Sequence, residues 1–179
     1  MFQNCVSLKN APQLPATTLA PQCYRWMFKG CTSLTSAPSL PATNLASGCY
    51  EGMFADCTAL STAPTISVIE KADISGCIGM FHKCSQLSSC MDIVYTGNQS
   101  LSEDSAFRAM FWDCPNMTIP PSLDFREVGV NGCYQIFCND YNGSQLKYIP
   151  PLPMSAIAVS GMWGAFNYNN RLVSKDVYL

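Results

Sequence analysis

The chain has 179 residues, a net charge of −2 and only 12% charged residues. That is about half the usual charged share. No basic patch stands out, so the electrostatic footprint of a nucleic-acid binder is missing. No apolar run approaches the roughly 20 residues of a membrane span, which argues against membrane insertion.

Residues 1–10, MFQNCVSLKN, have neither a basic n-region nor an apolar h-region and do not read as a signal peptide. They read as the middle of a repeat, so Met1 is expected to be a cut point in a longer chain. The pair Met-Phe or a close substitute begins a unit at Met1, Met27, Met53, Met80, Met110, Phe137 (as Phe-Cys) and Ala165 (as Ala-Phe), at intervals of 26 to 30 residues. A period of that length marks units too small to bury their own apolar face, which must stack on neighbours. All of 1–179 is thus one repeat domain, with 165–179 a degenerate cap.

Each unit has two halves. The first runs from Cys31 through Leu34 and Ala37 to Leu40, and recurs as Cys57, Leu60, Ala63 and Ile66. It predicts one short extended segment per unit, stacked in parallel and closed by Pro38 or Pro64, since proline cannot donate to a ladder. In the second half Leu19, Cys23 and Met27 lie four apart, as do Ala20, Tyr24 and Phe28. Two such rows predict one apolar face of a helix of about three turns. Thr17 or Thr18 is its N-cap and Gly30 its stop. The expected fold is an α/β repeat solenoid of about six coils, with one short parallel strand and one short helix per coil. Insertions at Gly97–Glu103 and Asn139–Ser144 should map to loops on one face.

Met27-Phe28, Cys31, Leu34, Pro38 and Leu40 resemble the BspA-like type of leucine-rich repeat, in the form found in surface and secreted proteins of gut Bacteroidetes. The resemblance is closest through Gly79 and fades after Tyr134. Alanine replaces the usual isoleucine before the repeat proline. It implies a right-handed leucine-rich-repeat-like solenoid with an adhesion or recognition role at the cell surface or outside the cell. It implies no catalytic residues.

The 11 cysteines are periodic. Cys5, Cys31, Cys57, Cys84 and Cys114 hold one slot, and Cys23, Cys49 and Cys133 another. Periodic placement points to buried free thiols acting as small hydrophobes, although coils stacked about 5 Å apart would also allow disulfides. The only histidine, His82, sits in a slot expected to be exposed, and no zinc, nucleophile or carboxylate constellation forms around it. No catalytic residue, metal or cofactor is expected. Trp112 shares a slot with Lys29, Ala55 and His82, Trp163 with Arg25, Glu51 and Arg108, and Trp26 with Gly52 and Gly79. Aromatic rings on a neutral surface anchor partners. Trp26, Trp112 and Trp163, with Tyr141 and Asn142 in the second insertion, are therefore the candidate partner-binding residues. The partner would be a protein or a glycan. The alternative is a structural part of a larger assembly, such as a phage or surface-layer accessory protein. Met1–Leu14 lacks a cap, so upstream repeats or another subunit would meet it end to end.

Overall fold

A computed structural model describes residues 1–66, 69–72, 75–94, 96, 105–124, 127–128, 131–140, 145–147, 156–157 and 163–167. Among them there is no α-helix. The strands are two residues each: β1 Asn44–Leu45, β2 Lys71–Ala72, β3 Ile93–Val94, β4 Leu123–Asp124, β5 Glu127–Val128 and β6 Ala156–Ile157. They pair in parallel as β1 with β2, β3 with β4 and β5 with β6. The strand-and-helix solenoid of leucine-rich-repeat type expected from the sequence is therefore corrected. The second half of each unit is a run of turns, not a helix.

The hydrogen bonds show why. Between Ala20 and Cys31 the amides of Cys23, Arg25, Met27, Lys29 and Cys31 each reach back three residues, to Ala20, Gln22, Tyr24, Trp26 and Phe28. The alternate amides, of Gln22, Tyr24, Trp26, Phe28 and Gly30, leave the segment. They donate to the carbonyls of Ser47, Cys49, Glu51, Met53 and Ala55 in the next unit at 2.8–3.1 Å. A helix would bond every amide four residues back. Here every second donor is spent on the neighbour, so one unit's backbone is satisfied only by another's.

Backbone angles follow the same four-residue rhythm. Every positive φ among the described residues falls on one of three rows. Gln22, Gly48, Ser75, Ser105 and Asn131 form the first, and Trp26, Gly52, Gly79, Ala109, Gln135 and Gly164 the second. Asn4, Gly30, Asp56, Lys83 and Asp113 form the third. Such a residue is the third of a tight turn, where type II geometry demands φ above zero. Gly30, expected as a helix stop, is one of these turn corners at φ 74°.

Side chains two residues after the second row enter the core. Phe2, Phe28, Phe54, Phe81, Phe111, Phe137 and Phe166 form one column, neighbouring ring centroids 5.3–5.8 Å apart and planes within 18°. Phe28, Phe54 and Phe81 are fully buried. Near-parallel offset rings add about 0.5–1.5 kcal/mol per pair beyond their area burial. The column sets the register of the sixth unit on Ile136-Phe137, one residue earlier than the Phe-Cys pairing read from the sequence.

The thiols pack alongside. Cys31, Cys57, Cys84 and Cys114 point their Sγ at the carbonyls of Phe2, Phe28, Phe54 and Phe81, 3.0–3.1 Å away. All eleven cysteines are free. Cys133 leaves the slot expected for it: amide pairings put it in the column of Tyr24, Tyr50, Cys77 and Phe107, while Cys23 and Cys49 stand one residue earlier. Pro38 and Pro64 do not close a strand. They lie between the Ser36–Thr62 bridge and the Leu40–Ile66 bridge.

Candidate functional site

The outer face of the first half-units carries an ordered array of hydroxyls. Parallel bridges join Asn10 to Ser36, Ser36 to Thr62, Thr62 to Ser89 and Ser89 to Ile119. One residue earlier, long backbone bonds run from Thr35 to Lys9, Ser61 to Thr35, Ser88 to Ser61 and Thr118 to Ser88. Three residues before that, Ser85 Oγ donates to the Thr58 carbonyl at 3.3 Å. The three middle units thus present Thr32, Thr35 and Ser36; then Thr58, Ser61 and Thr62; then Ser85, Ser88 and Ser89. All are exposed except the half-buried Ser85. Each hydroxyl both donates and accepts, and equivalent ones sit one strand spacing apart, about 4.8 Å. The grid is uncharged. Lys9 and Asn10 bound it on one side, Ile119 on the other.

Why this face is polar follows from the spacing. Cys31, Leu34 and their counterparts point inward and are fully buried at Cys31, Leu34, Cys57, Leu60, Cys84 and Leu87. The positions between them must face out, and there the chain places Ser and Thr.

The tryptophans lie elsewhere, on the turn side, and are not brought together. Trp26 is 39% exposed. The Arg25 guanidinium sits 4.0 Å from its ring centroid and bonds Glu51 Oε1 at 2.8 Å. The ring edge also lies close to Gly52, where an added Cβ would stand 2.7 Å from Trp26 Cδ1. The indole is held between its neighbours, not offered as an open platform. Trp112 is half-buried beside His82, ring centroids 5.6 Å apart, with its Nε1 buried and unbonded. Trp163 is 57% exposed and stacks on Tyr134 at 5.1 Å, and the Arg108 guanidinium also lies over the Tyr134 ring. Tyr141 and Asn142 lie outside the described residues, as does the whole 97–103 insertion. Of the second insertion, Asn139 is buried and Asp140 exposed.

The titratable groups are placed for packing. Burial pushes the Cys49 and Cys57 thiols up to about 12, and it raises Cys77, Cys84, Cys114 and Cys133 as well. Thiols in that state are not nucleophiles. His82, expected to be exposed, is half-buried. Burial lowers its pKa below the ordinary value, and neighbouring Lys83 adds to that. Among the described residues no group of three His, Cys, Asp or Glu side chains could hold a metal ion. No helix among them is long and apolar enough to cross a membrane. The cavity lined by Phe111, Cys114, Met117, Phe137, Asn139 and Leu146 does not admit a water molecule.

Searches of protein-family models, curated proteins and solved structures found no match to the chain. The resemblance to BspA-like repeats thus rests on the motif residues alone. The hydroxyl grid was written in the sequence as T-x-x-T-S, T-x-x-S-T and S-x-x-S-S, starting at Thr32, Thr58 and Ser85. Serine and threonine look like background until the unit register lines them up.

Proposed function

We propose that the chain is a non-catalytic binding module, acting outside the cell or at its surface, that presents the hydroxyl grid to a neutral glycan or protein partner. The observation that carries this reading is the grid itself: nine side-chain hydroxyls in three rows, uncharged, on a backbone that fixes their spacing. Serine and threonine are weak single anchors at interfaces. Affinity would come from many repeated contacts, which favours a partner with a repeat of its own. Eight of the eleven thiols are buried, which keeps those eight from reacting in an extracellular setting.

Glycan-array and pull-down screening of the chain displayed multivalently is the test. With Ser61→Lys and Ser88→Lys together, binding should fall at least about tenfold. Raising the salt concentration should leave wild-type binding nearly unchanged, since no charge pairs contribute. Binding that survives the double substitution would remove the grid as the site.

A further inference from the structure

We propose that the hydroxyl face carries an anchoring subsite for one ring of a neutral glycan, in which the Asp92 carboxylate holds a pair of adjacent sugar hydroxyls. This rests on the reading of that face as a binding surface and narrows its ligand to a sugar.

One unit breaks a short pattern. The grid positions Ser36 and Thr62 open the strings Ser36-Ala37-Pro38-Ser39 and Thr62-Ala63-Pro64-Thr65, with a hydroxyl at both ends and proline third. The corresponding string in the next unit is Ser89-Cys90-Met91-Asp92, and after it comes Ile119-Pro120-Pro121-Ser122. Pro38, Pro64 and Pro121 are buried, whereas Met91 is 57% exposed. Asp92 is exposed and puts a carboxylate where Ser39 and Thr65 carry neutral hydroxyls. Leu87 and Ile93 on either side are buried, so the core is undisturbed and both changes face outward.

The two neighbouring units fix the geometry. Ser89 pairs with Ile119 in a parallel bridge, and Ile93 and Val94 pair with Leu123 and Asp124. The register is the same at both, so Asp92 stands beside Ser122. The Ser122 amide donates to Asp92 Oδ1 at 2.9 Å. Ser89, Ile119, Ser122 and Asp92 are thus the corners of a rectangle about 10 Å along the strands and about 4.8 Å across them. That is room for one pyranose ring with its hydroxyls. The floor is apolar, made of Met91 with the half-buried Cys90 and Pro120. The corners are two hydroxyls, one carboxylate and Ile119, which is 64% exposed.

A sugar ring has the matching chemistry, an apolar C–H face with a rim of hydroxyls. The Ser122 amide orients Asp92 through Oδ1, and Oδ2 has no partner among the described residues. An ionised carboxylate accepts several hydrogen bonds, and those from sugar hydroxyls are charge-assisted and short. A lysine or arginine on a protein partner is the poorer match. A single exposed ion pair contributes little, and no second acid stands in the rectangle to clamp a cation.

The experiment uses the isotope-labelled full chain and the methyl glycosides of glucose, galactose and mannose in the millimolar range. At least one should saturably shift the amide signals of Ser89, Met91, Asp92, Ile119 and Ser122. Asp92→Asn keeps an oxygen for the Ser122 amide and should weaken binding about tenfold. Met91→Pro with Asp92→Thr rewrites the unit in the pattern of Pro64-Thr65, which the fold already accommodates, and should abolish the shifts. Salt at about 0.5 M should leave the wild-type affinity unchanged, because the ligand is neutral. No saturable shift with any of the three glycosides, equal affinity in Asp92→Asn, or butylammonium binding there as well as the sugars would each overturn the proposal. A partner from the array whose binding falls with Ser61→Lys and Ser88→Lys but not with Asp92→Asn would leave the binding face standing and remove the sugar subsite.

Discussion

Gly52 and Gly79 occupy the same slot with nearly the same backbone, φ 54° and 55°. Their surroundings differ. A Cβ at Gly52 would collide with Trp26, while at Gly79 the nearest atom, His82 Cβ, is 3.7 Å away. Alanine should therefore cost about 1 kcal/mol at Gly79, from the left-handed backbone alone. At Gly52 it should cost about 2–3 kcal/mol, because the indole must also move. Adding Trp26→Ala should remove the difference; a double-mutant cycle by urea denaturation measures it. If G52A and G79A cost the same, the indole is not seated on Gly52. The thiols give a second prediction. In the unfolded chain a thiol releases its proton near its ordinary value of 9.0, while folded Cys49 and Cys57 hold theirs to about 12. Between those values the unfolded state binds fewer protons, so stability is complete below pH 9 and falls as pH rises. The slope should be about 1.4 kcal/mol per pH unit for each such thiol. Urea midpoints across this range would show it, and a flat profile would mean that the thiols are solvated.

The turn segment shows how a sound pattern can carry two structures. Rows of apolar residues four apart, such as Ala20, Tyr24 and Phe28, suit a helix with 3.6 residues per turn and equally a backbone that repeats every four. The deciding signal lay on the other row. Gly48, Gly52 and Asp56 are also four apart, and they are residue types that accept positive φ. Two glycines inside a helix of about three turns would cost it about 2 kcal/mol; at turn corners they cost little. The stacking of units and the inward Cys positions could be read from spacing. The backbone between them could not, because Trp26, Ala109 and Lys83 hold corner positions that their residue types disfavour. Only the neighbour's carbonyls, bonded to every second amide, keep them there. Far-ultraviolet circular dichroism should accordingly lack the helical double minimum. Phe54→Ala, which opens a gap in the ring column, should cost about 3–5 kcal/mol, and Phe54→Leu clearly less. Equal costs would show that the ring stacking carries the loss there and the apolar burial does not.

Among the described residues, the backbone bonds between units join each unit to the ones beside it, and its backbone is incomplete without them. Stability in such an array is close to a sum over neighbouring interfaces, so damage at an end unit should stay local while damage at Phe54 should not. The hydroxyl face and the ring column sit on opposite halves of the same units, which lets the outer residues vary without cost to the core. The proposed sugar or protein contact depends on that separation. The direction of the cross-unit hydrogen bonds has a mechanical side as well. They run along the line from the first unit to the last, so a pull on the two ends loads them one interface after another, never all together. Tension should peel the chain a unit at a time at low force, giving evenly spaced steps of about one repeat length. A module built in this way would yield gradually under load and re-form from whichever units remained stacked.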